Sequence, residues 1–196
     1  ILHHYDSSPF SEKVRLLFGL KGIAWSSVEI PVIMPKPDYT PLTGGYRRTP
    51  SLQIGADVYC DTQVILHELE RRYPQTPAVR GGLDCAINLW ADRLFFQTTV
   101  PVIFGELGDH VPADFIKDRE ALSGRPFDTA AMKAVAPALA GQWRTQACWI
   151  EDQLDQAPWL AGAHPGLADI AAYMNVWFLG RTLPAMVERL TEGLLR

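Results

Sequence analysis

Strand-length apolar runs occur only within the first 60 residues of this chain, and beyond residue 82 the apolar repeats have helical spacing. That division confines any sheet to the N-terminal part and leaves the remainder to pack helix on helix. ILHHY (1–5) reads as a short strand ending in the turn chemistry of Asp6-Ser7-Ser8. Pro9 then suits the first position of a helix, where an N–H would be unpaired anyway. Val14, Leu17, Phe18 and Leu20 recur at helical spacing until Lys21-Gly22 closes the segment. WSSVEI (25–30) reads as a second strand, and prolines at 31, 35, 37 and 41 with Gly44-Gly45 make the next stretch irregular. PSLQI (50–54) and ADVYC (56–60), separated by Gly55, read as a hairpin. Asp61 and Thr62 are good N-caps for a helix whose apolar face is Val64, Ile65, Leu66, Leu69 and Tyr73.

The order strand, helix, strand, loop, hairpin, helix therefore fills residues 1–75, an α/β domain. YPQTP (73–77) and its extension to residue 82 read as a linker, placed at 76–82, and residues 83–196 as an all-helical domain. Within it the pattern predicts one long helix over 83–105, kinked at Pro101, and a short one over 113–122. A second long helical region spans 128–157, with Trp143, Ala147, Ile150 and Leu154 on one stripe. Two more helices are expected over 166–179 and 183–195. No internal repeat or low-complexity segment is present.

Charge narrows the function classes. Lys and Arg total 18 and Asp and Glu 22, for a net charge of −4. Residues 1–75 carry eight of each sign, so the acidic excess lies wholly in the later part. A weakly acidic chain without a Lys/Arg run is a poor partner for nucleic acid or an anionic membrane surface, and neither is expected here. No apolar run approaches the ~20 residues needed to span a bilayer. No signal peptide precedes Ile1, and the missing initiating Met leaves a trimmed start open. Cys60, Cys85 and Cys148 are far apart and odd in number, with no Cys-x-x-Cys pair. Neither a disulfide framework nor a metal site is expected, which fits a reducing, cytoplasmic setting. His3 and His4 are adjacent in a strand and point to opposite faces.

Three short segments carry possible chemistry. At Ser8-Pro9 a hydroxyl stands beside unpaired backbone N–H groups and the positive end of a helix dipole, surroundings that favour an anion and specifically a thiolate. Taken alone, the same serine simply caps its helix. At Thr49-Pro50 an X-Pro bond before a hairpin strand can be cis, leaving the Thr49 backbone free to pair with an extended peptide-like ligand; an ordinary trans proline at a strand start is the plainer reading. Asp61-Thr62 can cap a helix, or can hold an amino-acid head group, with the carboxylate at the N–H groups and the ammonium at Asp61.

In order and spacing, SSPFSEKVRLLFGLKGI, then RRTPSLQIGADVYCDTQVILHELE, then a helical half containing Gly166-Leu167-Ala168-Asp169-Ile170, closely resemble the cytosolic glutathione transferases. The resemblance implies a thioredoxin-like N-terminal domain, a helical C-terminal domain, and a homodimer that binds glutathione as co-substrate near the domain interface. Ser8 falls where serine-type members place the hydroxyl that hydrogen-bonds the glutathione sulfur. Ser-Pro-Phe looks like the tau class, and Ser7-Ser8 is similar to the zeta motif. Relatives with cysteine at this position would favour thiol exchange. Thr49-Pro50 matches the cis-proline signature, Asp61-Thr62 the pair that binds the γ-glutamyl end, and Lys36 and Arg48 lie near the family's cations for the glycyl carboxylate. Phe10, Trp90, Phe95 and Phe96 are candidates for the wall of the electrophile pocket.

The resemblance implies detoxification chemistry, in which a thiolate stabilised at Ser8 attacks a small apolar electrophile. A thiol of pKa ~8.5 lowered by about two units needs roughly 2.7 kcal/mol of differential stabilisation. Isomerisation and peroxide reduction are related possibilities. The alternative is a non-catalytic binding or regulatory protein on the same fold. Departures from the family pattern are Asp61 for Glu, Thr62 for Ser, Thr49 for an apolar residue, and Gly166 for the Ser/Thr of a capping box with Asp169. The chain also ends at Arg196, earlier than most relatives, so a terminal helix is expected to be absent or disordered.

Overall fold

The computed structural model describes residues 1–194 and divides into two compact units, Ile1–Val79 and Arg80–Arg196. The first unit runs β1 (Leu2–His4), α1 (Pro9–Lys21), β2 (Ser27–Glu29), β3 (Ser51–Ile54), β4 (Asp57–Cys60) and α2 (Thr62–Arg72). Its sheet has the order β2-β1-β3-β4. β1 and β2 are parallel, as the α1 crossover between them requires, and the other pairings are antiparallel. This is a thioredoxin-like arrangement. The apolar residues that predicted α1 are its buried ones, Val14, Leu17 and Phe18, and Ile65 and Leu69 of α2 are buried likewise. Gly22 stops α1 in the left-handed conformation, φ 64°, which glycine adopts without steric cost.

The last turn of this unit is tied down by a buried ion pair. Lys21 Nζ lies 2.7 Å from Glu70 Oε1 and donates to the carbonyls of Tyr73 and Thr76 at 3.1 and 2.8 Å. Glu70 Oε1 also accepts the N–H of Ala78, itself fully buried. The segment read as a linker is thus packed onto the first unit as far as Ala78.

The second unit is helical: α3 (Gly82–Trp90), a π-helical turn (Ala91–Phe95), α4 (Phe96–Leu107), a 3₁₀ turn (Gly108–His110), α5 (Ala113–Ser123), α6 (Thr129–Leu154), α7 (Leu167–Thr182) and α8 (Pro184–Leu190). The single helix predicted over 83–105 is therefore interrupted by one wider turn. Three polar side chains hold that turn from inside the core. Asn175 Nδ2 donates to the Ala91 carbonyl at 3.1 Å, and Thr98 and Thr99 both donate their hydroxyls to the Phe95 carbonyl at 2.8 and 2.9 Å. Around them pack Phe95, Val102, Ile103, Trp143 and Leu179, all nearly or fully buried. Where α4 meets α6, a Cβ on Gly105 would stand 2.8 Å from the Lys133 backbone nitrogen, so only glycine permits this approach.

Asp169 does more than a capping box asks. One oxygen accepts the Gly166 N–H and the other the Leu160 N–H, both at 2.8 Å, so the side chain bridges the start of α7 to the preceding loop. The helix expected over 183–195 ends at Leu190; Leu195 lies outside the described residues.

Candidate functional site

Ser8 is the N-cap of α1. Its backbone is extended (φ −77°, ψ 119°), its carbonyl accepts the Glu12 N–H at 3.0 Å, and its Oγ accepts the Ser11 N–H at 3.2 Å. The cap uses a lone pair of the hydroxyl and not its proton. Ser8 is only 3% exposed, and accepting from Ser11 is its hydroxyl's one hydrogen bond among the described residues. Capping and donation to a thiolate are therefore compatible at this atom. Ser7, by contrast, is exposed, and Ser11 is fully buried with an unpartnered hydroxyl.

Strand register brings the other two segments to the same edge of the sheet. His3 lies opposite Ser51, and Ser51 opposite Cys60. Continuing each ladder by one residue sets Pro50 between His4 and Asp61, so the end of β1, the start of β3 and the end of β4 coincide. Ser8 follows closely, its N–H bonded to the Tyr5 carbonyl at 3.1 Å. The Thr49-Pro50 peptide is cis. Asp61 caps α2 by accepting the Gln63 N–H at 2.8 Å, and it does so with φ at 77°, the one described non-glycine residue with positive φ. Thr62 behind it is buried.

The two candidate cations differ in their surroundings. Arg48 is exposed, whereas Lys36 is 3% exposed. Lys36 Nζ donates to the Arg47 carbonyl at 3.3 Å and to Thr49 Oγ1 at 3.2 Å, and it lies over the rings of Tyr5 and Tyr39. Its ammonium thus braces the loop that delivers Thr49. Tyr39 braces the same loop, donating to the Arg48 carbonyl at 2.6 Å, and burial pushes its hydroxyl up to about 12.

Sequence reasoning passed over His4 and Arg15, since their pairing spans a strand and a helix and leaves no local pattern. Arg15 can only donate, so its 3.0 Å contact makes His4 Nδ1 an acceptor, and Nε2–H then donates to Ser27 Oγ at 2.7 Å. Burial first, and Arg15 second, hold the imidazole below its ordinary pKa. Arg15 also reaches the Asp6 carbonyl at 3.1 Å and Glu12 Oε2 at 2.6 Å, bracing the turn that carries Ser8.

The three aromatic candidates of the helical unit do not form one wall. Phe10 is half-buried on the first turn of α1. Phe95 is fully buried in the helical core between Trp90 and Trp143, with ring centroids at 5.2 and 5.3 Å, and has no face left for a ligand. Phe96 stacks on Phe178. Trp90 alone of the three lines a cavity of about 510 Å³ within the helical unit. Among the described residues no cluster of His, Cys, Asp or Glu could hold a metal, and no helix is long and apolar enough to cross a membrane.

A thioredoxin-like unit with a helix-start serine, a cis-proline before its third strand and a capped final helix, followed by a helical unit, defines the glutathione-transferase fold. A family model described as the glutathione S-transferase N-terminal domain matches residues 2–77. Among solved structures, a GST-like protein from Pseudomonas syringae is 35% identical with a TM-score of 0.74, covering 98% of this chain and 62% of its own. A glutathione S-transferase from Rhodospirillum rubrum F11, 19% identical over 96% of this chain and 84% of its own, shares the fold at a TM-score of 0.71. The FtsZ-localized protein A of Caulobacter vibrioides (strain NA1000 / CB15N) is 28% identical over 174 residues, 87% of this chain and 73% of that protein. The present chain thus spans 62% of the Pseudomonas protein's length and 73% of the Caulobacter protein's. Residues 2–77 thus match the glutathione S-transferase N-terminal domain, and the chain shares the glutathione-transferase fold.

Proposed function

We propose that the chain is a serine-type glutathione transferase in which Ser8 stabilises the glutathione thiolate for attack on a small apolar electrophile. The observation that carries this reading is the Ser8 hydroxyl, which accepts from Ser11 N–H, is nearly buried, and keeps its proton for a further acceptor. A sulfur seated there meets that O–H together with the positive end of α1. Thr49, before the cis-proline, would pair its backbone with the cysteinyl part. Asp61, Thr62 and the N-terminus of α2 would take the γ-glutamyl head group, and exposed Arg48 the glycyl carboxylate. Lys36 would act by holding the Thr49 loop. Phe10 and Trp90 remain the aromatic candidates for the electrophile. By analogy with the family we also propose a cytoplasmic homodimer with a detoxifying role.

The test is a thiolate absorbance titration of bound glutathione. Ser8→Ala should keep the fold, costing about 1 kcal/mol for the lost cap, and should raise the apparent pKa of the bound thiol. An unchanged titration would place the sulfur-activating group elsewhere. A second reading, a glutathione-transferase-like protein that binds or regulates without turnover, draws support from the 28% identity to a protein named for its localisation with FtsZ. Glutathione binding without turnover across a broad electrophile panel would favour it. No binding even at millimolar glutathione would overturn both.

A further inference from the structure

The guanidinium of Arg15 joins three parts of the first unit that meet beside Ser8. Its Nη1 donates to Nδ1 of His4, on β1, at 3.0 Å, and its Nη2 to the carbonyl of Asp6, in the turn, at 3.1 Å. Its Nε donates to Glu12 Oε2, one turn back on α1, at 2.8 Å. Asp6 lies two residues before Ser8, whose own N–H reaches back to the Tyr5 carbonyl. A planar fork that holds three acceptors at once fixes their relative placement, as a compact ammonium on a flexible stem could not. Arg15 thus sets where the turn delivers Ser8 relative to β1.

That grip needs an acceptor at His4 Nδ1. In the neutral ring the proton sits on Nε2 and is given to Ser27 Oγ at 2.7 Å, which leaves Nδ1 bare for Arg15. A second proton on the ring would go to Nδ1, setting one N–H against another and one cation against another. His4 is 2% exposed, and the Trp25 ring stands edge-on to it with centroids 5.7 Å apart. The side chain with room to leave is Arg15, 17% exposed and able to keep Glu12 as it moves. Burial opposes the proton most, and Arg15 on α1 next; Asp6 in the turn, Glu29 on β2 and the Tyr5 backbone favour it. The proton is therefore taken up below the ordinary value of about pH 6.5.

We propose that Arg15 is a positioning residue for Ser8, and that a proton on His4 releases its hold, so that glutathione binding weakens reversibly in acid. With Nδ1 protonated, the rigid guanidinium leaves His4 and the Asp6 carbonyl together, since its plane cannot turn from one and keep the other. Ser8 keeps its cap on α1, but the turn no longer holds that hydroxyl in register with Pro50 and Asp61. The inference rests on the glutathione reading of Ser8 and concerns the regulation of that same site.

Isothermal titration calorimetry of the full chain with S-methylglutathione, between pH 7 and pH 5, tests it. This probe has no thiol, and its carboxyl and amino groups keep their charge across the range. The parent's affinity should fall about fivefold from pH 7 to pH 5, and should recover on neutralisation. His4→Gln, whose amide oxygen can accept from Arg15 and takes no proton, should give a flat profile. Arg15→Met should bind about fivefold more weakly than the parent at pH 7, again with a flat profile. Arg15→Lys, which keeps the charge and loses the fork, should resemble Arg15→Met. Thermal unfolding at both pH values shows whether each protein is folded; if the Arg15 variants are not, the His4→Gln profile decides. Three results would overturn the proposal and leave the glutathione reading intact: a parent profile flat to pH 5, a His4→Gln profile as steep as the parent's, or parental affinity in Arg15→Lys. No binding of S-methylglutathione at pH 7 would overturn that reading, and this inference with it.

Discussion

Asp61 pays a conformational cost that its neighbours do not. With φ at 77° its Cβ is crowded against its own backbone, a cost of about 1–3 kcal/mol for a non-glycine residue. Such strain is retained where a side chain is needed, and here the carboxylate caps α2 at the edge where Pro50 leads into β3. The two contributions can be separated. Asp61→Gly should relieve the backbone and keep nearly all the capping, so unfolding by urea should show a protein at least as stable as the parent. Asp61→Ala should be less stable than the glycine variant by about 1 kcal/mol. Both should weaken glutathione equally in a binding titration; a glycine variant with parental affinity would remove the carboxylate from the site. His4 offers a second separation, by pH. Its folded pKa lies below the unfolded value, so below about pH 6.5 the unfolded chain takes up a proton that the folded chain refuses. Stability should therefore fall as pH drops through that range, and fall more steeply than in His4→Gln, measured by urea unfolding at pH 7.5 and 5.5. Of these residues the sequence announced Ser8, Pro50 and Asp61 as types in a spacing. The sign of φ at Asp61 and the His4–Arg15 pair depend on tertiary surroundings and left no local trace.

Helices and strands were legible wherever an apolar repeat and an end signal agreed. α1 starts at Pro9 and stops before Gly22, and the hairpin turns at Gly55, all as read. The π turn was not legible. One extra residue in a helical repeat shifts the apolar face by about 100° without breaking it, and the cause lies 84 positions away, where Asn175 takes the Ala91 carbonyl. Gly105 was equally silent, because a glycine inside a helix looks the same whether it is idle or indispensable. Here the contrast is measurable within one molecule. Gly19, at an exposed position on α1, has nothing within 4 Å of an added Cβ, so Gly19→Ala should stabilise by about 0.5–1 kcal/mol. Gly105→Ala meets the Lys133 backbone, which has no far end to swing away, and should destabilise by about 1–3 kcal/mol despite the same gain in helix propensity. Urea unfolding of the two variants checks this. Equal gains would show that α4 and α6 can move apart freely at their crossing.

At the scale of the molecule, the composition of YPQTP pointed to a connector, and its prolines do end α2. What composition could not show is that the segment after it is held. Lys21 has no exposed side-chain surface, and its ammonium is satisfied by Glu70 together with the carbonyls of Tyr73 and Thr76. A buried ammonium depends on every one of those partners, because losing one leaves part of a charge unpaired. Ala78, fully buried, adds a backbone bond to Glu70. The first unit should therefore end after Val79 and not at residue 75. This predicts an ordering between two excised fragments. A fragment of residues 1–79 should unfold at higher urea than one of residues 1–75, by about 2 kcal/mol, since the shorter piece lacks both the Thr76 carbonyl and Ala78. Lys21→Met should shrink that difference, because a thioether, unlike the ammonium it replaces, donates nothing to the carbonyls of Tyr73 and Thr76. If both fragments unfolded at the same midpoint, the segment after Tyr73 would be a passive connector, and the Lys21 network would contribute nothing to where the unit ends.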